Sequence, residues 1–323
     1  MTIQNSQNLP TCNLCGSKNL KLLFKGNIGD EIGTRFSQYA YYDDIYRCTN
    51  CRFVAQRQRY GTDRIKLFLQ NEVYLDETIG NLNLFEKQVQ FDTITRIITK
   101  YCDITNQKLL DVGANTGVFL STIKDKVGSA QGIEASDEAA EAARTLYGLD
   151  VQAGLIEDVK LPDEEFDIIT MFDVIEHLTD PMEDLQTLFQ KLKPGGNIFI
   201  TTHDIETLLA KISGRQYPML MYQHFFHFSP KTLSRMLEAN GFKVGGFERF
   251  FKSWSFEYIY NLIEKKWPGT KWAKFLKSIL YPLYKIQAVR QFRIVSPQRD
   301  FFIIFAEKPL GQLNSMFMDK NYD

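Results

Sequence analysis

The run Leu109-Leu110-Asp111-Val112-Gly113-Ala114-Asn115-Thr116-Gly117 constrains this chain more than any other segment. It reads as an apolar strand that ends in an acid and a glycine, and Val118-Phe119-Leu120 continue from it as a helix. Gly113 permits a tight turn and close approach of a ligand to the backbone, while Gly117 lets the helix pack closely. The next segments of the chain strengthen the pattern. Ser129–Glu134 is a second strand ending in an acid, 21 residues beyond Gly113, where a doubly wound fold places a carboxylate on ribose hydroxyls. Ser136 then caps an alanine-rich helix, Asp137–Tyr147.

Strand and helix keep alternating. Asp150–Ala153 and Phe166–Phe172 read as the third and fourth strands, and residues 185–192 are apolar at helical spacing. Pro194-Gly195-Gly196 is expected to end that helix before a strand over 197–202, and residues 243–247 and 301–306 suggest a final strand pair. The fold class is therefore α/β, a Rossmann-like doubly wound sheet. A chain of 323 residues with 44% hydrophobic content has room for one large domain or two smaller ones.

Cysteine usage adds a second unit. Cys12-Asn13-Leu14-Cys15 and Cys48-Thr49-Asn50-Cys51 are two C-x2-C pairs, each able to sit on a tight knuckle with both thiolates aimed at one ion. Together they complete the tetrahedral sulfur set that zinc prefers, and four cysteine ligands leave no open position. Zn2+ is thus expected as a structural ion on Cys12, Cys15, Cys48 and Cys51. Tyr46-Arg47 and Phe53-Val54 read as the strands of a ribbon hairpin, and Cys102 as a core residue. The N-terminus lacks a basic-then-apolar signal, and no window approaches roughly 18 apolar residues, so a reducing cytoplasmic location is expected.

From residue 82 to about 308 the chain resembles class I S-adenosylmethionine-dependent methyltransferases. The resemblance rests on Leu-Asp-Val-Gly-Ala-Asn-Thr-Gly (110–117), Gly-Ile-Glu-Ala-Ser (132–136), Phe-Asp-Val-Ile-Glu-His-Leu (172–178) and Leu-Lys-Pro-Gly-Gly (192–196). It implies S-adenosyl-L-methionine as the cofactor. Asp111, Gly113, Asn115 and Gly117 would carry its methionine moiety, and Glu134, with Ala135 beside it, the ribose. Leu155 and Ile156 would flank the adenine, and Phe172 and Asp173 would face cofactor and acceptor. Asn115 departs from the usual middle glycine, but asparagine is among the few residues that visit left-handed conformations. Leu155 replaces an acid often found there, which leaves adenine recognition to backbone groups.

Methyl transfer to a hydroxyl needs a general base, and histidine titrates near operating pH. The four histidines, at 177, 203, 224 and 227, all lie in the catalytic half. The segment around Gln223-His224-Phe225-Phe226-His227-Phe228-Ser229 resembles a Glu-His-aromatic-aromatic-Phe-Ser passage of bacterial deoxysugar methyltransferases that carry an N-terminal zinc module. Gln223 replaces the carboxylate of that pair, so a lone histidine base for O-methylation fits better than C-methylation. His224 leads as the base, followed by His177 and by His203, the latter expected on a loop beside the substrate mouth. Tyr74 is expected near the cofactor or acceptor.

The expected organisation is a zinc-binding module over 1–63, a linker and lid helix over 64–101, a methyltransferase domain over 102–310 and a tail over 311–323. An insertion at 251–297 carries nine Lys/Arg against two acids, with interleaved aromatics. It is expected to pack on the domain or a second subunit, or to meet phosphate groups of a substrate or membrane. The expected acceptor is a small molecule, of sugar or glycan-precursor type. Net charge of -1 argues against a nucleic-acid partner. The competing readings are an RNA methyltransferase that binds through the zinc module, a nicotinamide dehydrogenase and a non-catalytic cofactor-binding scaffold.

Overall fold

The structure is a computed structural model that describes residues 11–27, 41–57, 81–266, 269–295 and 300–311. Tyr74, the linker at 64–80 and residues 312–323 of the tail lie outside the described residues.

The N-terminal module is a small antiparallel sheet of β1 (Leu20–Phe24), β2 (Ile45–Cys48) and β3 (Val54–Gln56). Arg47 opposite Val54 begins the expected hairpin, closed by the turn that carries Cys48 and Cys51. A long helix, α1 (Asn81–Tyr101), comes next and buries Ile94 and Ile98. These residues share a face at i, i+4 spacing, so the helix packs on the sheet as its periodicity requires.

The central sheet is built from β4 (Lys108–Val112), β5 (Ser129–Glu134), β6 (Asp150–Ala153), β7 (Phe166–Phe172) and β8 (Leu192–His203). Helices α2 (Val118–Ile123), α3 (Asp137–Tyr147) and α4 (Pro181–Lys191) connect them. Ser136 caps α3 through its side chain, as expected, and Asp180 does the same for α4. Two short helices lie beyond β8: α5 (Leu208–Ser213), then α6 (Pro230–Ala239) after β9 (Phe226–His227). A capping box between Ser229 and Thr232 starts α6 at Pro230.

The chain ends with β10 (Lys243–Phe250), β11 (Ser253–Ser255), α7 (Phe256–Lys266), α8 (Lys271–Tyr284), α9 (Gln287–Gln291), β12 (Arg293–Val295) and β13 (Phe301–Glu307). β13 lies antiparallel between β8 and β10, which completes the seven-stranded order β10-β13-β8-β7-β4-β5-β6. The five strands from β4 to β8 are mutually parallel.

Burial on both faces agrees with this arrangement. One core layer gathers Ile94, Phe119, Ala140 and Ile303, and the other Leu185, Leu188, Leu233 and Met236. Cys12, Cys48, Cys51 and Phe53 belong to the second layer, so the cysteine module is fused to the domain. β9 seals the join by pairing with β3, Val54 opposite His227 and Ala55 opposite Phe226.

One expectation needs correction. Pro194-Gly195-Gly196 does not separate helix from strand, because α4 stops at Lys191 and β8 already begins at Leu192. The pairing of β7 with β8 is irregular between Phe166 and Ile168, and Gly195 takes φ 81. The motif is a bulge within the strand, where a left-handed glycine re-aims the chain.

Candidate active site and cofactor cavity

Chain order reverses at β4: β5 and β6 lie on one side, β7 and β8 on the other. Ligands of open α/β sheets sit at such a switch point, beyond the carboxyl ends of the strands. A cavity of about 360 Å³ lies there. It takes its lining from the ends of β4, β5, β6 and β7, with α1 closing one side. All the sequence-expected cofactor residues except Gly117 line it.

Gly117 acts one step back. At φ 79 it precedes α2, and a Cβ there would stand 2.4 Å from Leu149 Cδ1 and 2.9 Å from Ala143 Cβ. Its missing side chain thus lets the turn seat against α3 and Leu149. Gly113 faces the same limit, since a Cβ would come within 2.3 Å of Val174 Cγ2. Asn115 adopts φ 50, the left-handed conformation that its place in the turn demands.

The carboxylates at the strand ends differ in surroundings. Asp111 is buried and accepts the Thr170 hydroxyl at 2.6 Å. Burial, with Glu134 adding to it, pushes its carboxyl up to about 7. Glu134 accepts the Asn115 amide at 2.8 Å on one oxygen and the Ser136 amide at 2.9 Å on the other. Each oxygen keeps further accepting capacity toward the cavity. Burial raises its pKa, although these backbone donors oppose the shift. Asp173 sits at φ 55 after β7. It accepts the Thr201 hydroxyl at 3.0 Å and pairs with Lys252 at 3.1 Å. Burial acts against its charge, but Lys252 and Thr201 outweigh it and leave the carboxyl below its ordinary value.

The four histidines converge in the interior. His177 Nδ1 donates to the Gln223 carbonyl at 2.9 Å and His224 Nδ1 to the Met219 carbonyl at 2.8 Å. A carbonyl can only accept, so each ring carries a proton on Nδ1, which makes Nε2 the accepting nitrogen of the neutral ring. The two rings meet edge to face, 4.8 Å between centroids, and His203 stacks on His224 at 5.2 Å. His203 Nε2 lies 3.0 Å from His227 Nδ1. Burial and the neighbouring imidazoles hold His224 and His227 well below the ordinary histidine pKa.

Only His177 of the four lines the cavity. His203, expected on an exposed loop, is instead the wholly buried last residue of β8. The carboxylate missing at position 223 has a spatial counterpart in Glu176. Glu176, His177 and His224 bring one ligand atom each within 4.8 Å of one another. Glu176 also accepts the Thr202 hydroxyl at 3.0 Å.

Sequence reasoning missed Lys87 and Lys252 at the cavity wall and Gln56 behind the histidines. The position of Lys252 just past β10 was a signal for the second; nothing local marked the other two.

At the N-terminal module, Cys12 Sγ lies 3.4 Å from Cys51 Sγ, and Cys15 Sγ 3.6 Å from Cys48 Sγ. All four sulfurs fall within 4.8 Å of one another. A tetrahedral zinc with about 2.3 Å bonds holds its sulfurs about 3.8 Å apart, so the donor set fits that ion.

Acids at the ends of β4, β5 and β7 around a glycine turn define an enzyme that uses a nucleoside cofactor. Residues 84–245, half of the chain, match a methyltransferase domain, and the chain belongs to that family. It is an S-adenosylmethionine-dependent methyltransferase. The ubiquinone biosynthesis O-methyltransferase of Methylococcus capsulatus is 27% identical over 166 residues, 47% of this chain and 70% of that protein. Among solved structures, an S-adenosylmethionine-dependent methyltransferase from Mesorhizobium loti gives a TM-score of 0.44 at 15% identity, covering 66% of this chain and 96% of that one. A Haemonchus contortus phosphoethanolamine N-methyltransferase gives 0.46 at 16% identity, covering 75% of this chain and 60% of that one. The name of the Methylococcus relative lends no support to the sugar-type acceptor or glycan role expected from the sequence. Among the described residues, no helix is long and apolar enough to cross a membrane.

Proposed function

We propose that this enzyme transfers a methyl group to a hydroxyl of a small-molecule acceptor, with His177 as the general base. The observation that carries the reading is the place of His177, on the cavity wall with Nδ1 anchored to the Gln223 carbonyl. Nε2 of the neutral ring is then free to take the acceptor proton. The name of the Methylococcus relative, an O-methyltransferase, supports oxygen as the accepting atom.

S-adenosylmethionine, when bound, supplies an electrophilic methyl group on a sulfonium. Glu134 binds the ribose, while Gly113 and Asn115 shape the turn beneath the amino-acid end. Leu155 and Ile156 cover the adenine, and Phe172 and Asp173 orient the reacting ends. His224 backs His177, and His203 and Glu176 stand behind them as positioning groups. Such orientation supplies most of the rate in a displacement of this kind.

A zinc ion on Cys12, Cys15, Cys48 and Cys51 is part of the same proposal, supported by the closeness of the four sulfurs. It stabilises the module rather than entering the chemistry. On this reading the chain divides into the zinc-binding module over 1–63, a linker and lid helix over 64–101, the methyltransferase domain over 102–310 and a tail over 311–323.

The insertion supports a peripheral contact with an anionic lipid surface. Trp272, Phe275 and Ile279 of α8 stay 72%, 55% and 56% exposed, and Lys271 and Lys274 are exposed beside them.

The central test is incubation with methyl-labelled S-adenosylmethionine and a cell extract separated into small molecules and RNA. Label in small molecules as methyl ethers supports the proposal. Label in RNA, or on carbon or nitrogen, overturns it.

A further inference from the structure

The cavity wall is unevenly charged. Asp111, Glu134 and Asp173 stand at the strand ends, with Glu157 and Asp184 further along the lining, whereas among the described residues Lys87 and Lys252 are its only lysines and no arginine lines it. Lys252 is already matched by Asp173 at 3.1 Å, and its ammonium also lies 3.5 Å from the centre of the Phe301 ring. Lys87 differs. Among the described residues it makes no hydrogen bond and no ion pair.

Its position results from α1. Phe91, one turn further along that helix, packs on Phe119 at 5.4 Å and Phe172 at 6.2 Å between ring centroids. Those contacts pin α1 across the start of α2 and the end of β7. Lys87 therefore reaches the cavity wall, close enough to Asp173 and Glu134 to feel their charges. An unpaired ammonium in a poorly solvated wall is costly unless an anion meets it. The cofactor carries one anion, the carboxylate of its amino-acid end, and an ammonium in the wall is the group that matches it.

We infer that Lys87 holds the carboxylate of the cofactor's amino-acid end, an assignment that rests on the S-adenosylmethionine reading above. Burial draws its ammonium down to about 8, Lys252 adds to the shift, and Asp173 and Glu134 oppose it. A carboxylate in contact reverses that shift and gains a charge-assisted hydrogen bond.

Titration calorimetry with two ligands tests this: S-adenosylhomocysteine, which has the carboxylate, and 5′-methylthioadenosine, which lacks the amino-acid end. Wild type, Lys87→Met and Lys87→Arg are compared. Lys87→Met is expected to weaken S-adenosylhomocysteine about 10- to 100-fold while methylthioadenosine stays within about twofold, and Lys87→Arg to recover most of the loss. Retained methylthioadenosine binding also reports that the variant is folded. Unchanged S-adenosylhomocysteine affinity in Lys87→Met overturns the inference and leaves the cofactor reading standing. Equal losses for both ligands overturn it too, since they mark a structural role. A wild type that binds neither ligand overturns the cofactor reading itself, and the Lys87 assignment with it.

Discussion

Gln56 Nε2 donates to the Tyr222 carbonyl at 2.6 Å, joining the cysteine module to the histidine segment across 166 positions of sequence. The same amide reaches the His224 carbonyl at 3.3 Å, and the Gln56 backbone N–H donates to Phe225 O at 2.7 Å. Phe53 stacks on Phe226 at 5.8 Å, and Arg235 donates to the Cys51 carbonyl at 3.3 Å. The module therefore packs directly on the segment that holds His224, and β3 is the element that links its cysteines to the histidines.

Loss of the module's order should accordingly impair the acceptor side more than the cofactor side. Gln56→Ala strands buried carbonyls, each at a cost of about 1–3 kcal/mol. Cys48→Ser, or removal of zinc by a chelator, is expected to lower methyl transfer at least about tenfold, while S-adenosylhomocysteine affinity changes less than about twofold. Elemental analysis before and after chelation gives the metal content, with one zinc per chain expected. A zinc-free protein of full activity would sink this coupling.

The histidine roles separate by substitution. His177→Ala is expected to cut the turnover rate by about 10²–10⁴-fold, the scale of a general base, with cofactor affinity near wild type. His224→Ala should cost less in rate, since its ring touches His177 rather than the cavity. Single-turnover kinetics distinguish them. A larger loss for His224→Ala would return that residue to the leading place.

Asp111 makes the fold sensitive to pH in a direction opposite to that of an ion-paired aspartate. Its folded pKa is raised from 3.8 to about 7 by burial, so the folded state binds a proton more tightly than the unfolded chain. The stabilisation is complete below about pH 4 and is lost as pH rises through about 7. Asp111→Asn keeps an acceptor for Thr170 without a charge to bury. The variant's thermal midpoint should match wild type near pH 4 and exceed it at pH 8, by a free energy of roughly 2–4 kcal/mol. Equal midpoints at both pH values would show that Asp111 carries no such penalty.

The elements that could be read in advance were short strands that run into an acid or a glycine at their carboxyl ends, and a helix behind a capping residue. β4, β5 and β7 are of this kind, and so is α3 behind its Ser136 cap. Their ends fixed the cavity in advance, because the acids there obey strand register. The Pro194-Gly195-Gly196 bulge is ambiguous in sequence because a proline and two glycines punctuate a helix end and a strand bulge alike. Lys87 and Gln56 were illegible for another reason. Each acts across a tertiary contact, and an ordinary lysine in a helix or glutamine in a strand leaves no local mark of what packs beside it. The histidines stood between these cases: the Glu176-His177 and Gln223-His224 motifs were visible, but which ring reached the cavity depended on how β9 turned toward β3.

The insertion gives the last prediction. β11 and β12 pair at its base, Ser253 opposite Val295, and α1 braces it through Glu86, which accepts the Ser255 hydroxyl at 2.6 Å and pairs with Arg293 at 2.7 Å. That base is secured, yet the outer face of α8 stays apolar, and Phe292 further on is 66% exposed. Lys271 and Lys274, exposed on the same helix beside Trp272 and Phe275, give this face a positive border. Aromatic and aliphatic side chains rimmed by lysine suit the interface of an anionic bilayer, where apolar area sinks among the headgroups and ammonium groups meet phosphates. Flotation with phosphatidylglycerol-containing vesicles should carry the protein upward at low salt and less so at physiological salt, since screening weakens the ionic part. Vesicles of phosphatidylcholine alone should carry little. Trp272→Ser combined with Phe275→Ser should abolish flotation while leaving methylthioadenosine binding intact. Absence of flotation at low salt would overturn the lipid contact, and a concentration-dependent dimer lost in the same double variant would assign this face to a second copy of the chain.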